Sequence, residues 1–556
     1  MFHIKFDFQD VKPIIIPDLQ SEKEEIVNRA RIFVEQTYSK QRFIKDEESC
    51  AKLSFRGLRS EPGVDVVLGA RNAVLNLIGF GAPLVVAIFA IPFLIGGLGT
   101  DRFGILTLVW AAIGYFGLFD LGLGRALTQI VAKKLGTDRE QEIPTLVWTA
   151  LFVMFVVGLL GTALVFLLSR WLVMTVLKIP PVLQSETLDV FYLLALSIPV
   201  VVTTAGLRGV LDAHQRFGLT NSVRIPMGVL IFLGPLLVLP FSRNLFSVAA
   251  VLVVIRVIAW VAYLMLCFYV VPALRCGVVV KGSMLRPLIR FGTWMTVTNI
   301  VGPLMVYLDR FLIGSVLSVA AVAYYATPYE VVTKLWIIPV AVVSVLFPAF
   351  STSFVQDRRR TALLFDRGIK YVFLALFPLT LLIVTLAYEG LDLWLGGEFA
   401  QNSTRVVQWL AVGVFINSLA HVAFSLVQGV GRPDITAKLH LVELPFYLIS
   451  LWWLVVAYGI EGAAIAWVVR IVIDTGFLFG ISRRLLPARE SITLRATVTI
   501  GTALLILALA TFPVGIAMKG LFLLLILPAF AMVAWFFILI SEERMLILDQ
   551  FKRNVR

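Results

Sequence analysis

The chain of 556 residues is 59% hydrophobic and only 15% charged, with a mean hydropathy of +0.92. Soluble domains are about 45–50% apolar and about 25% charged, so this composition excludes a soluble multidomain protein and a disordered chain. The formal net charge of +13 must be interpreted from where the 48 lysines and arginines lie along the chain.

The first 71 residues are more polar than the rest of the chain. They contain no basic segment followed by an apolar core and a cleavage site, so we expect a retained cytoplasmic extension and no secretory signal. Ser21 and Glu24 form a capping-box pattern that predicts the start of an amphipathic helix. Such a helix would rest on the bilayer surface or dock a partner.

Apolar runs dominate the chain after this extension, and each is long enough to cross a hydrocarbon core of about 30 Å. They predict an all-α polytopic membrane protein with about 14 transmembrane helices. The predicted spans are 72–98, 103–123, 143–169, 188–207, 223–242, 245–272, 288–316, 323–350, 369–388, 405–428, 439–458, 460–482, 497–516 and 519–540.

The basic residues test this segmentation, because lysine and arginine concentrate in short cytoplasmic loops. With the N-terminus inside, 30 basic residues after residue 51 lie on the inner side and 6 on the outer side. We therefore expect both termini in the cytoplasm and contact with the anionic inner leaflet of the bilayer. No basic soluble module is present, so nucleic acid is not an expected partner.

A short repeat suggests how the spans are organised. The tetrapeptide FLIG ends span 1 at residues 93–96 and span 7 at residues 311–314. An offset of six spans gives both copies the same orientation, which predicts two six-helix lobes related by an axis along the membrane normal. The predicted units are the extension 1–71, the N-lobe 72–275, the C-lobe 276–485, and two further helices with a cytoplasmic tail in 486–556.

Helix-breaking residues fall in corresponding spans of the two lobes. Gly81 and Pro83 are predicted to interrupt span 1, and Gly302 and Pro303 are predicted to interrupt span 7. Broken helices in matching positions point to a transport site, because freed backbone groups must line a cavity. Ordinary packing kinks remain the alternative.

Four bases lie in the interior of predicted spans, away from the span ends: Arg256, Arg310, Lys334 and Arg470. Intramembrane charge is costly and marks a functional site or an ion pair. Arg256 in span 6 and Arg470 in span 12 lie about 15–16 Å from the predicted outer surface, near the midplane. A guanidinium matches phosphate oxygens in a bidentate manner, so these bases are candidate ligands of a diphosphate.

Acidic residues accompany three of these bases, whereas Arg256 has none on its own helix. Asp309 adjoins Arg310, while Glu330 and Asp474 are spaced for (i, i+4) pairing with Lys334 and Arg470. We assign the three acids to gating or ion pairing. Interhelical salt bridges without a role in binding remain the alternative for all four bases.

Isolated polar residues give weaker indications. Glu443 and Asp120 are coupling-ion sites or inner-leaflet caps, and His421 is a proton relay or a hydrogen-bonded core residue. Loops after residue 72 are short and contain no phosphate-binding GxxxxGK[ST] motif, so we expect a transporter and not an enzyme or an ATP-driven pump. We expect no metal and no cofactor, and coupling to Na⁺ or H⁺ stays open.

Several motifs between residues 72 and 485 resemble one family. The segment YFGLFDLGLGRAL (115–127) is similar to the second-helix signature of polysaccharide flippases. Further matches to that family are FGTWMTVTNIVGPLMVYLDRFLIG (291–314), YYATPYEVVTKLW (324–336), VSVLFPAFS (343–351), GRPDITAKLHLVELPFYL (431–448) and GIEGAAIAW (459–467). The family comprises the O-antigen and exopolysaccharide flippases of the multidrug/oligosaccharidyl-lipid/polysaccharide (MOP) superfamily.

This resemblance implies two six-helix lobes around a cationic central cavity in the bacterial inner membrane. It further implies a polyprenyl-diphosphate-linked oligosaccharide as substrate, moved to the outer leaflet by alternating access, with polysaccharide polymerase or export machinery as later partners. The four intramembrane bases would then be the cavity charges.

Three other functions remain as alternatives. A cation-coupled multidrug antiporter commonly carries a first-helix carboxylate that span 1 does not contain. A peptidoglycan-precursor lipid flippase would use the same phosphate ligands. A membrane glycosyltransferase, polymerase or ligase would need a larger outer loop than residues 99–102 provide.

Overall fold

A computed structural model describes residues 65–137, 139–284, 304–487, 494–539, 541 and 543–545, with residues 65–80 and 494–498 described by their backbone alone. These residues are largely helical, with no strand among them. Eleven helices in the described ranges are long and apolar enough to cross a membrane. The predicted helix of the extension, which contains Ser21 and Glu24, lies outside the described residues.

The first eight helices cover the region of the predicted N-lobe. They are α1 (Asp65–Leu98), α2 (Thr100–Phe116), α3 (Leu123–Leu135), α4 (Ile143–Trp171), α5 (Pro181–Leu196), α6 (Ile198–Ala213), α7 (Phe217–Val238) and α8 (Leu245–Val270). A separate short 3-10 helix, Pro272–Cys276, follows.

The later helices cover the regions of the predicted C-lobe and the C-terminal pair. They are α9 (304–316), α10 (Val319–Val332), α11 (Ile337–Gln356), α12 (Arg358–Thr385), α13 (Ala387–Leu395), α14 (Gly397–Gly429), α15 (Pro433–Leu485), α16 (Leu494–Leu509) and α17 (Ile516–Val533). Helix is therefore found within each of the predicted spans, which confirms the all-α polytopic class.

The interruption predicted at Gly81 and Pro83 is not found, because α1 runs through both residues. Proline is tolerated in membrane helices where neighbouring groups satisfy the freed carbonyl. Pro83 packs so closely on α7 that a side chain at Gly228 would come within 2.8 Å of its ring. Gly302 and Pro303 lie outside the described residues.

The end of predicted span 2 differs from the expected straight helix. The chain forms a 3-10 turn over Gly117–Asp120 and takes left-handed backbone angles at Leu121 and Gly122 before the amphipathic helix α3. Asp120 accepts a hydrogen bond of 2.9 Å from the Gly124 backbone N–H, which caps the start of α3. Of the two roles predicted for Asp120, this geometry favours the cap over the coupling-ion site.

Two breaks in the C-lobe place polar groups inside the bundle. A 3-10 segment, Thr333–Trp336, separates α10 from α11 and contains Lys334. In α15 the chain reverses at Gly459, whose φ of 60° and ψ of −140° are not helical. The two halves of α15 then pack side by side, since a side chain at Gly462 would come within 1.9 Å of the Leu454 carbonyl oxygen.

The two lobes meet at the predicted outer end of the bundle. A Cβ on Gly104 of α2 would lie 1.9 Å from the Val319 carbonyl oxygen at the start of α10. The Lys178 backbone N–H donates a 2.9 Å hydrogen bond to the Gly314 carbonyl, and Leu177 packs against Gly314. This end is closed by backbone-to-backbone contact.

Replacing Gly104 by valine is expected to separate α2 from α10, because no side chain fits between the two backbones. Leu177→Cys, introduced after serine replacement of the native cysteines, reports on the separation. We expect an impermeant maleimide to label the thiol at this position several-fold faster with Gly104→Val than without it.

Gly96→Val is the matched control for this labelling, because Gly96 lies at the same end of the bundle and a Cβ added there would meet no atom within 4 Å. Equal labelling rates with Gly104→Val and Gly96→Val would contradict the assignment of Gly104 as the contact that closes this end.

Candidate translocation site

A chain of ion pairs links α9 to α10. Arg310 donates to Glu330 Oε1 at 3.0 Å, and its other terminal nitrogen lies 3.5 Å from Asp309 Oδ1. Lys334 Nζ lies 3.4 Å from Glu330 Oε2. These residues were assigned from the sequence to binding or gating, and the structure brings all four into one network with two positive and two negative charges.

Aromatic side chains enclose this network. Tyr325 donates a 2.7 Å hydrogen bond to Asp309 Oδ2. The Arg310 guanidinium carbon lies 4.6 Å from the Tyr329 ring centroid and 5.3 Å from that of Tyr307, both within cation–π range. Arg310 is 1% exposed, so protein groups surround its guanidinium.

Lys334 is the more accessible base of the network. Its side chain is 32% exposed, against 2% for that of Arg310. The 3-10 segment turns Lys334 out of the regular helical path after α10. The Lys334 ammonium is therefore accessible while Arg310 remains paired with Glu330.

Arg470 lies in the second half of α15 without an ion-pair partner within 4.0 Å among the described residues. Its guanidinium carbon is 5.4 Å from the Tyr447 ring centroid, and Nη1 is 3.8 Å from the Met305 sulfur. The buried Nε has no hydrogen-bond partner in the described part of the chain. The (i, i+4) pair predicted with Asp474 is not formed; the Asp474 carboxylate is hydrogen-bonded to Glu443 and lies 3.8 Å from His440.

Arg256 is separate from this network in its contacts. It is 3% exposed, and Nη1 donates a 2.9 Å hydrogen bond to the Leu252 carbonyl one turn earlier in α8. No acidic partner of Arg256 is found in the described ranges, as the sequence predicted for its own helix. None of these contacts joins Arg256 to Arg310, Lys334 or Arg470.

Sequence reasoning missed the tyrosines of the site. Tyr325 and Tyr329 are spaced (i, i+4) on α10, a pattern that places both side chains on one helix face. The hydroxyls of Tyr115, Tyr329 and Tyr447 are buried without a hydrogen-bond partner among the described residues. Unsatisfied buried donors of this kind are suited to a polar ligand, since a buried polar group without a partner is costly.

Arg310→Met is expected to lower the free energy of unfolding by about 3–5 kcal/mol, because it leaves the buried Asp309 carboxylate uncompensated. Thermal unfolding of the full chain in detergent measures the loss. Asp309→Asn combined with Arg310→Met should recover part of it, because both charges are then removed.

Arg405→Met is the control, since Arg405 is exposed and far along the chain from the network. If Arg310→Met unfolded at the same temperature as the unmodified chain, the ion pairs of Arg310 would not contribute to stability.

Comparison with known proteins identifies the family. A model of the family described as "Polysaccharide biosynthesis protein" matches residues 70–354. A Shigella flexneri protein named as an O-antigen transporter is 33% identical over 424 residues, which is 76% of this chain and 99% of the relative. A Haloferax volcanii protein named as a low-salt glycan biosynthesis flippase is 24% identical over 192 residues, which is 34% of this chain and 40% of that relative.

Solved structures agree on the fold. The lipid II flippase MurJ in an inward closed conformation has a TM-score of 0.66 at 12% identity, covering 83% of this chain and 98% of that one. A multidrug resistance MATE transporter of the MOP superfamily in an inward-facing conformation has a TM-score of 0.63 at 14% identity, covering 73% of this chain and 97% of that one. The chain therefore has a MOP-type fold and belongs to the polysaccharide biosynthesis protein family.

Proposed function

We propose that this protein is a flippase that moves a polyprenyl-diphosphate-linked oligosaccharide from the inner to the outer leaflet of the bacterial inner membrane. The observation that carries the proposal is Arg470, a base inside the bundle without an acidic partner in the described residues and beside the unsatisfied hydroxyl of Tyr447. The family supports the same substrate class, since one relative is named as an O-antigen transporter and another as a glycan biosynthesis flippase.

The physical task explains why such a base is needed. A sugar and diphosphate headgroup cannot enter hydrocarbon without replacement of its hydrogen bonds to water. A guanidinium donates two parallel hydrogen bonds to phosphate oxygens, and tyrosine hydroxyls donate single ones. The polyprenyl tail can remain in the lipid while only the headgroup passes between the lobes.

The four predicted bases take different parts in this proposal. Arg470 and Lys334 contact the diphosphate, because they are the two with free or accessible donors in the C-lobe. Arg310 holds the site together through Asp309 and Glu330 and contacts substrate only if Glu330 moves away. Arg256 is the N-lobe candidate for the second phosphate.

In this proposal, alternating access requires the closed contact at the predicted outer end to open. With both termini in the cytoplasm, as the distribution of basic residues predicts, the contact of Gly104 with Val319 closes the outer face. Opening that contact releases the headgroup outward, where a polymerase or export assembly takes it up. Outward movement of each negative charge is favoured by about 2.3 kcal/mol per 100 mV when the inside is negative.

Depletion of this protein tests the function directly. Lipid-linked repeat units are expected to accumulate on the inner leaflet while surface polysaccharide disappears, because assembly continues and export stops. Mass spectrometry of extracted lipids and quantification of surface polymer measure the two quantities.

Other outcomes of the depletion would identify the alternative functions. Accumulation of a peptidoglycan precursor instead would indicate the peptidoglycan-precursor flippase. Normal glycans combined with increased drug sensitivity would indicate a multidrug antiporter and contradict the proposal.

Arg470→Gln is expected to reduce export about tenfold or more in depleted cells that express it, since a hydrogen bond to a charged group contributes about 1.5–3 kcal/mol. Surface polymer and accumulated lipid-linked units are measured at matched protein abundance. Arg405→Gln is the control, because Arg405 is exposed and outside the site. Full export with Arg470→Gln would remove Arg470 from the proposed site.

A further inference from the structure

A helical hairpin at the predicted inner end of the N-lobe brings two arginines together. It consists of α6 and α7, which are joined by a turn at residues 214–216. Thr220 Oγ1 donates a 3.0 Å hydrogen bond to Asp212 Oδ1, so the two helices are paired beside this turn. Arg208 lies four residues before Asp212, and Arg224 lies four residues after Thr220. Because four residues are about one helical turn, both guanidinium groups lie on the same side of the hairpin, one turn beyond this hydrogen bond.

Buried contacts with α8 hold both helices of the hairpin in place. The Tyr263 hydroxyl donates a 3.2 Å hydrogen bond to the Thr220 carbonyl, and these residues are 2% and 5% exposed. One turn further along α8, the Cys267 thiol lies 3.2 Å from the carbonyl oxygen of Leu207, the residue before Arg208. The positions of the two arginines are therefore set by packing inside the N-lobe.

Like charges face each other in this hairpin. Arg208, Asp212 and Tyr263 all act electrostatically on Arg224. Arg208 is exposed and forms no ion pair with any residue that the structure describes. Oδ1 of Asp212 accepts the hydrogen bond from Thr220. Two guanidinium groups at close range repel each other, and an anion bound between them would replace that repulsion by attraction.

A third base approaches from α3. Arg125 is exposed, and both Arg125 and Arg208 act electrostatically on Asp120. The Asp120 carboxylate caps α3 through the Gly124 backbone N–H. A Cβ on Gly209 would lie 2.8 Å from the Gly124 carbonyl oxygen, so α3 packs directly on α6. Bases from three helices therefore lie near one another at this end of the N-lobe.

The position of the arginine pair indicates which kind of anion it meets. Arg208 and Arg224 lie at the inner ends of predicted spans 188–207 and 223–242. Basic side chains at this level meet the phosphate groups of inner-leaflet lipids. Each guanidinium matches two phosphate oxygens in a bidentate manner. A diphosphate carries negative charge on both phosphates and can compensate both guanidinium groups, whereas a phosphodiester has one charged phosphate.

We infer that Arg208 and Arg224 form a phosphate-binding site for the headgroup of an inner-leaflet lipid, separate from the C-lobe site around Arg470. The diphosphate of a polyprenyl lipid is the preferred ligand, and a phospholipid headgroup is the other source of the same chemistry. Binding of the phosphate group is a property of this hairpin alone. Its role in loading the transported lipid rests on the proposed flippase function.

The site extends the bases of the N-lobe toward the predicted cytoplasmic side. Tyr263, which contacts the hairpin, lies seven residues after Arg256 in α8. Seven residues are about two helical turns, so Arg256 lies on the same face of α8 and about 10 Å closer to the predicted outer side. A diphosphate that leaves the hairpin for the interior of the bundle has Arg256 as the next base of the N-lobe.

Native mass spectrometry of the purified full chain in detergent tests the inference, because it counts bound lipids and identifies each by its mass. The experiment uses the Arg470→Gln chain, in which binding at the C-lobe site is weakened. We expect this chain to retain one undecaprenyl diphosphate, and we expect Arg208→Gln combined with Arg224→Gln to lower that affinity at least tenfold. Arg139→Gln combined with Arg216→Gln is the matched control, because both arginines are exposed at the same predicted end and the change in charge is equal.

Thermal unfolding without added lipid distinguishes a binding role from a structural one. Arg208→Gln is expected to unfold at the same temperature as Arg216→Gln or at a higher one, since it removes a repulsion between like charges. A lower unfolding temperature for Arg208→Gln would assign Arg208 to a structural contact and contradict the inference.

Equal retention of undecaprenyl diphosphate by Arg208→Gln combined with Arg224→Gln and by the control would overturn the site. Displacement by phosphatidylglycerol at equal concentration would overturn the preference for a diphosphate and the loading role, and would identify a phospholipid site. Binding is measured without transport, so loss of this site leaves the flippase proposal intact, and failure of the depletion experiment leaves the phosphate site intact.

Discussion

The requirement that charge buried in a membrane be compensated organises the interior of this protein. An uncompensated ion in a low-dielectric environment is strongly unfavourable, so each buried charge needs a partner, a ligand or a path to water. Asp309, Arg310, Glu330 and Lys334 meet this requirement among themselves with two charges of each sign. The group joins α9 to α10 and fixes the tyrosines around it.

Backbone irregularities position the polar groups that the charge network uses. Lys334 lies in a 3-10 segment between two α-helices, and the reversal at Gly459 brings the acids of α15 together. Close helix contacts depend on glycine in the same way. Trp467 fills the space beside Gly413, where a side chain would come within 2.4 Å of its ring. Regular helices form the bundle, and the irregular backbone segments position its polar side chains.

Arg256 and Arg470 are the intramembrane bases that the charge network leaves without an acidic ion-pair partner among the described residues. MOP-type structures include a multidrug transporter and a lipid flippase, so the fold by itself does not select a substrate. Arg470 beside the unsatisfied hydroxyl of Tyr447 suits an anion.

The sequence by itself determined the class of the protein, the approximate spans and the identity of the intramembrane charges. Hydropathy over windows of about 20 residues indicates which segments lie in lipid. Motifs such as YFGLFDLGLGRAL indicated the family. Pairing of Glu330 with Lys334 was also predictable, because (i, i+4) residues share a helix face. The same rule was wrong for Arg470 and Asp474, where contacts from other segments of the chain compete with the local pair.

Only the tertiary structure decided which charges meet across helices. The contact of Arg310 with Glu330, the hydrogen bond of Tyr325 to Asp309 and the approach of His440 to Asp474 all join residues from different helices or from two halves of a reversed one. Composition and periodicity describe one helix at a time, and they contain no information about the rotation of one helix against another. Those rotations are set by packing of the whole bundle, and they determine whether a buried base is an ion-pair partner or a ligand-binding group.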